Sequence, residues 1–160
     1  MENRVKPATL FADYLADRSL KMTRGRREIL DQLLAVRGHF DAESLLQMLR
    51  KSGRRVSRAT LYRTLGRLVE SGLVHKIEMA GGQARYEPMF GRGHHDHMVC
   101  LSCGSIVEFE SKRIEKIQEA ICRRKKFSMT GHSHQIHGHC AACSKRKRPR
   151  TGTRRSPAHV

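Results

Sequence analysis

The sequence predicts an α+β chain built as two small units in series, and three observations carry that prediction. Apolar residues recur at helical spacing in three consecutive segments between residues 23 and 70, and short alternating runs follow on either side of Ala80-Gly81-Gly82. Two Cys-x-x-Cys pairs, Cys100/Cys103 and Cys140/Cys143, then bracket the second half. At 160 residues each half is small, and a unit of roughly 60 residues commonly needs a metal or a partner to hold its core. The cysteine pairs offer the metal.

Each helix of the first half has its own start and stop signals. Thr23 is placed to cap a helix with the stripe Ile29, Leu30, Leu33 and Leu34, and Gly38 ends that segment. Asp41 caps the next, whose stripe is Leu45, Leu46 and Leu49, with Gly53 as its stop before the basic turn Arg54-Arg55. Ser57 caps a third helix over 58–70. There the 100° step per residue puts Leu61, Leu65, Leu68 and Val69 on one side and Arg63 and Arg67 on the other, with Tyr62 on the flank and Arg58 in the first turn. That solvent side, which also carries Thr60, suits phosphates and base edges. Arg67 and Arg54-Arg55 are expected to make phosphate contacts only. After Gly72, LVHKIEM and QARYE read as a hairpin around Ala80-Gly81-Gly82. Three short helices and a hairpin describe a winged helix-turn-helix, expected over residues 1–85.

The second unit, 86–144, has a different pattern. Residues 98–101 and 105–109 read as strands joined by the first Cys-x-x-Cys turn, and a helix begins at Ser111 with the stripe Ile114, Ile117 and Ile121. It ends in the basic run from Arg123 to Lys126, favourable at a helix C-terminus. The histidine-rich segment 128–139 is expected as a last strand leading into the second cysteine pair. Residues 145–160 have no apolar periodicity and are expected to form a disordered basic tail.

Charge and cysteine usage narrow the function classes. The formal charge is +17 with a pI near 10.6, which calls for a polyanionic partner. Seven of the basic residues lie from Lys145 onward with no acid among them, yet the body stays strongly basic without them. No apolar stretch approaches a membrane span, and the N-terminal residues lack the apolar core of a signal peptide, so a cytoplasmic protein with no membrane partner is expected. In a reducing compartment paired Cys-x-x-Cys motifs are metal ligands before they are disulfides. Four thiolates from two tight turns complete a closed tetrahedral zinc site. Cys122, the fifth cysteine, is expected to be a small buried residue of the helix stripe.

The run His94-His95-Asp96-His97 offers a second metal chemistry, because imidazoles and carboxylates suit a reversibly bound transition ion. On an extended backbone His95 and His97 face one way and His94 and Asp96 the other, so the run could serve two sites. A hydrolase or nucleobase deaminase would also pair histidine with Cys-x-x-Cys. The deaminase pattern of His-x-Glu with a proline before its cysteine pair is missing, and four cysteines leave a zinc no open position. A zinc-ribbon nucleic-acid-binding protein without metal switching would use the basic tail but leaves the third helix and the histidines without a task.

In order along the chain, LKMTRGRREIL, RATLYRTLGRLVESGLV, AGGQARYE, HHDHMVCLSCGSIVEFE and HSHQIHGHCAAC resemble the ferric uptake regulator (Fur) family of bacterial metal-responsive transcription factors. The resemblance spans about 20 to 143 and excludes the tail. It implies a winged-helix DNA-binding domain followed by a small α/β dimerisation domain with a structural zinc site at Cys100, Cys103, Cys140 and Cys143. It also implies a regulatory metal site of His39, Glu87, His95, His97 and Glu108, and a further site of His94, Asp96, Glu115 and His132. Tyr62 and Arg63 match base-touching positions, and Lys21 matches a basic position near the minor groove. Aspartates tend to occupy the positions of Glu87 and Glu108 in the peroxide-sensing branch, so the glutamates here favour an iron-type regulator. A zinc-responsive regulator is the nearer alternative, because ligand type does not choose among iron, manganese, cobalt and zinc. The expectation is therefore a homodimeric repressor of iron-uptake genes that binds double-stranded operator DNA, holds structural Zn²⁺, and takes Fe²⁺ (or Mn²⁺ or Zn²⁺) as corepressor. It needs no catalysis and no small-molecule substrate.

Overall fold

The computed structural model describes residues 6–91 and 93–145 and divides into two compact units. The first runs to His95 and takes in Glu110–Lys112; the second comprises Asp96–Phe109 and the chain from Arg113 onward. The first unit thus extends past the boundary expected after residue 85, because the strand Ala84–Pro88 pairs along its length with Val74–Glu78. The expected tail, 145–160, lies outside the described residues apart from Lys145, which closes a helix.

In the first unit the caps read from the sequence are in place. Helix α1 spans Pro7–Ala16, α2 Arg24–Leu34, α3 Ala42–Lys51 and α4 Arg58–Glu70. Thr23, Asp41 and Ser57 accept hydrogen bonds from the amides of Arg26, Ser44 and Thr60 at the starts of α2, α3 and α4. Helix α2 stops at Leu34, ahead of Gly38, since Ala35 already forms its C-cap. The stripes of α2, α3 and α4 meet in one core, where Ile29, Leu33, Leu45, Leu49, Leu61 and Leu68 are fully buried. Each such side chain contributes about 1.5–3 kcal/mol of transfer free energy. Helix α1 adds Phe11 and Leu15 to that core, and its Tyr14 hydroxyl donates to Glu70 at the end of α4.

The hairpin consists of β1, Val74–Glu78, and β2, Ala84–Pro88, paired antiparallel. Its turn needs glycine because Gly81 and Gly82 have φ of 76° and 75°. Phe40 extends the pairing as an isolated bridge to Tyr86, donating its amide to the Tyr86 carbonyl at 2.9 Å and accepting from the Tyr86 amide at 2.7 Å. That bridge places the residues beside it, His39 and Glu87, next to each other.

The second unit has a three-stranded sheet with β3, Asp96–Cys100, at its centre. Strand β4, Ile106–Phe109, pairs with it antiparallel and β5, Gln135–Gly138, pairs parallel. A parallel neighbour needs a long crossover, supplied here by helix α5, Lys112–Arg124. The last strand is therefore shorter than the 128–139 expected. A five-residue helix α6, Ala141–Lys145, carries Cys143. This unit buries little apolar side chain: Val99 and Cys100 are buried, whereas α5 has no buried residue and exposes Ile117 and Ile121. Cys122, expected inside, is half-buried because its helix covers so little.

Candidate metal centres and DNA-reading face

The four cysteines come together within the second unit. Cys100 ends β3, Cys103 follows in the turn, and Cys140 and Cys143 flank and enter α6; their sulfurs all lie within 4.8 Å of one another. Cys103 Sγ is 3.8 Å from Cys140 Sγ. A tetrahedral ion with Zn–S bonds of about 2.3 Å spaces its sulfurs about 3.8 Å apart, so the donor set fits zinc. The thiols also respond to one another. The backbone amides of Cys140 and Cys103 pull the Cys100 thiol down to about 5, and hydrogen bonding to Ser105 lowers Cys103. The neighbouring thiols Cys140 and Cys103 push Cys143 up to about 12. Four thiolates this close repel one another, and a cation among them offsets that repulsion.

A second donor set forms inside the first unit, on the framework of the Phe40–Tyr86 bridge. Glu87 is completely buried, and its Oε2 lies 2.8 Å from His95 Nε2 and 3.6 Å from His39 Nε2. The other ring nitrogen of His95 is 3.0 Å from the Gly93 carbonyl. A carbonyl only accepts, so His95 Nδ1 donates to it; in a neutral ring Nε2 is then an acceptor facing a carboxylate oxygen, and only a proton or a cation between the two reconciles that contact. Two imidazoles and a buried carboxylate arranged this way favour a positive charge among them. In the second unit His97 and Glu108 stand opposite each other across β3 and β4 and leave the sheet on the same side, His97 buried and Glu108 exposed. The regulatory set expected from sequence is thus found as three residues in one unit and two in the other.

The third set is partly assembled in the second unit. Asp96, only 1% exposed, has its ligand oxygen within 4.8 Å of donor atoms of Glu115 on α5 and His132, and His132 Nε2 is 3.7 Å from Glu115 Oε1. His94, the fourth expected ligand, belongs to the first unit and is exposed. One neighbour was missed in the sequence: His134 Nδ1 lies 3.9 Å from Asp96 Oδ2. The alternation His132-Ser133-His134 before β5 was the signal, since residues two apart share a face.

Comparison with known proteins agrees with this donor chemistry. The model of the ferric uptake regulator family matches residues 17–137. The chain belongs to that family. It is 40% identical over 130 residues to the ferric uptake regulation protein of Legionella pneumophila, covering 81% of this chain and 95% of that protein. The Fur of Pseudomonas aeruginosa, solved with manganese, superimposes with a TM-score of 0.68 at 33% identity, over 81% of this chain and 96% of that one. The Fur of Francisella tularensis, solved with iron, gives 0.62 at 30% identity, over 79% and 96%. This Fur-family chain is accordingly a metal-responsive DNA-binding transcription regulator of metal uptake and not an enzyme.

The α4 face of this Fur-family chain and the turn before it have the layout expected, with three changes. Tyr62 and Arg63 are exposed, and Arg63 has no hydrogen-bond or ion-pair partner among the described residues. Lys21, ahead of α2, is exposed, and Thr60 accepts through its carbonyl from the Thr64 hydroxyl at 2.7 Å. Arg67 is half-buried and its guanidinium donates to Glu70 at 2.8 Å, one turn on, rather than standing free for a phosphate. Arg54, expected at the backbone of a ligand, donates instead to the Glu28 carbonyl at 2.7 Å and braces the α3–α4 turn against α2. Arg50 and Arg55 remain exposed beside it, on a groove of about 610 Å³ that ends at Ser57. Arg58 is not free either: Glu43 of α3 accepts from it at 2.8 Å and from the Tyr62 hydroxyl at 3.3 Å. Sequence reasoning did not single out Glu43.

Proposed function

We propose that this chain is an iron-responsive repressor that acts as a cytoplasmic homodimer on double-stranded operator DNA, with Zn²⁺ held by Cys100, Cys103, Cys140 and Cys143. The observation that carries the switch is the pair of imidazole Nε2 atoms turned toward one buried Glu87 oxygen, with the His95 tautomer set by the Gly93 carbonyl. His39, Glu87, His95, His97 and Glu108 are the proposed ligands of the regulatory ion. Asp96, Glu115 and His132, joined by His94, hold a further one. A bound divalent ion supplies concentrated positive charge and prefers a fixed set of oxygen and nitrogen donors. A coupling of about 1–3 kcal/mol between ion loading and DNA binding changes operator affinity roughly 5–150-fold.

The relatives support iron: the Legionella protein is named for ferric uptake and the Francisella one was solved with iron. The exposed Ile117 and Ile121 of α5, with Met98, Val107 and Ile136 on the sheet, support a dimer through the second unit, as Fur-family regulators are dimers. Lys21, Arg58, Thr60, Tyr62, Arg63 and Arg67 serve DNA, Tyr62 and Arg63 at base edges and the others at the backbone or in support of the helix.

The test is operator binding by anaerobically purified protein under Fe²⁺, Mn²⁺ and Zn²⁺ in turn, with metal analysis. Chelation of the labile ion is expected to weaken binding within the range above while zinc stays bound. An affinity for a palindromic site that ignores metal would end the proposal, and a preference for Zn²⁺ would move the protein to the zinc-responsive branch.

A further inference from the structure

Glu43 stands in the first turn of α3, where an acid is ordinarily explained by the helix dipole. Its contacts point further. One oxygen takes the Arg58 guanidinium at 2.8 Å and the other takes the Tyr62 hydroxyl at 3.3 Å. Residues 58 and 62 are one turn apart on the same side of α4, so a single carboxylate bridges the first helix of the helix-turn-helix to two donors on the second. The pair is open to solvent, with the Arg58 and Glu43 side chains 66% and 47% exposed. Exposed ion pairs contribute little to folding, so stability does not explain the arrangement. An acid among phosphate-seeking arginines also opposes DNA through its charge.

We propose that Glu43 is a positioning and specificity residue of the DNA-reading face. It fixes the Tyr62 ring by its hydroxyl, holds one edge of the Arg58 guanidinium, and cancels one positive charge of the recognition helix. Duplex of arbitrary sequence then meets a helix whose Arg58 is already satisfied, and binds weakly. An operator that engages Tyr62 and Arg63 at base edges repays the exchange of the Arg58 contact for a phosphate. The inference rests on the DNA-binding reading above and names the residue that sets its selectivity.

The experiment uses the full-length protein, loaded with zinc and Mn²⁺, against a duplex selected from random sequence by the wild type and against a scrambled duplex of the same composition, from 50 to 200 mM salt. E43Q keeps an acceptor for Tyr62 and loses the charge. It is expected to raise affinity for scrambled DNA several-fold, to steepen the plot of log affinity against log salt by about 0.9, and to leave the thermal midpoint unchanged. E43A also frees Tyr62, so it is expected to lose discrimination between the two duplexes beyond E43Q, and adding Y62F to E43A should cost no further discrimination. Wild-type salt slope and discrimination in both variants would overturn the role of Glu43 while sparing the DNA-binding reading. Failure of the wild type to select any duplex would overturn both.

Discussion

The two units hold themselves together by opposite means. The first buries a continuous set of leucine, isoleucine and phenylalanine side chains between four helices, and His39 and Glu87 flank Phe40 and Tyr86 of that core. The second leaves α5 and much of its sheet exposed and gathers thiols, imidazoles and carboxylates in place of apolar bulk. A small domain with so little buried hydrocarbon gains its stability from metal or from a partner. The comparison teaches that one unit carries its own apolar core while the other offers metal donors where a core would be.

The sharpest way to break this contrast is Cys100→Ser. Structural zinc is worth about 10–16 kcal/mol in small zinc domains, so the variant should lose zinc and the amide protection of the β3–β5 sheet while α2–α4 stay protected. Hydrogen exchange with zinc analysis reads both, and a zinc-loaded, protected sheet would refute the four-cysteine site. The converse is Leu65→Ala in the dry core, with an expected loss of about 2–5 kcal/mol confined to the first unit and zinc retained; calorimetry and metal content decide. Equal damage to both units would mean they do not fold separately.

Glu87→Ala sharpens the comparison where the first unit meets metal chemistry. Removing the buried carboxylate shared by His39 and His95 should weaken Mn²⁺ binding at least about tenfold, read by titration, with zinc content unchanged. Unaltered Mn²⁺ affinity would remove Glu87 from the site. The smallest effect is expected at Asp41, whose side chain accepts from the Ser44 amide at 2.8 Å. That hydrogen bond, the largest influence, holds its carboxyl below the ordinary value, so the cap stabilises fully above the usual carboxylate range and fades as pH falls through the lowered value. Asp41→Ala should cost about 1 kcal/mol at neutral pH and less in acid. A pH-independent difference would assign the cost to something other than the charge.

Much of this was legible because it is local. Thr23, Asp41 and Ser57 cap helices within three residues of themselves, the leucine stripes repeat within single helices, and Gly81 and Gly82 turn a hairpin that flanks them. The cysteine pairs announce a metal because each pair acts from one tight turn. Helix α1 was missed: its cap residue, Lys6, has no side-chain hydrogen bond, and its reason to exist is the seat of Phe11 and Leu15 in a core made by later residues. Arg54 and Arg67 looked alike as exposed cations, and only packing turned one to the Glu28 carbonyl and the other to Glu70.

By itself the sequence determined the helix-turn-helix with its wing, the thiolate clamp and the chemical types of the remaining ligands, since each depends on residues a few positions apart or on a motif carried whole. Tertiary structure decided which histidine meets which carboxylate, that Phe40 would pair with Tyr86 and so bring His39 to Glu87, and that Glu43 would occupy Arg58 and Tyr62. Those pairings join residues 8 to 48 positions apart in the chain. Their geometry follows from how the core closes, and no local periodicity encodes it.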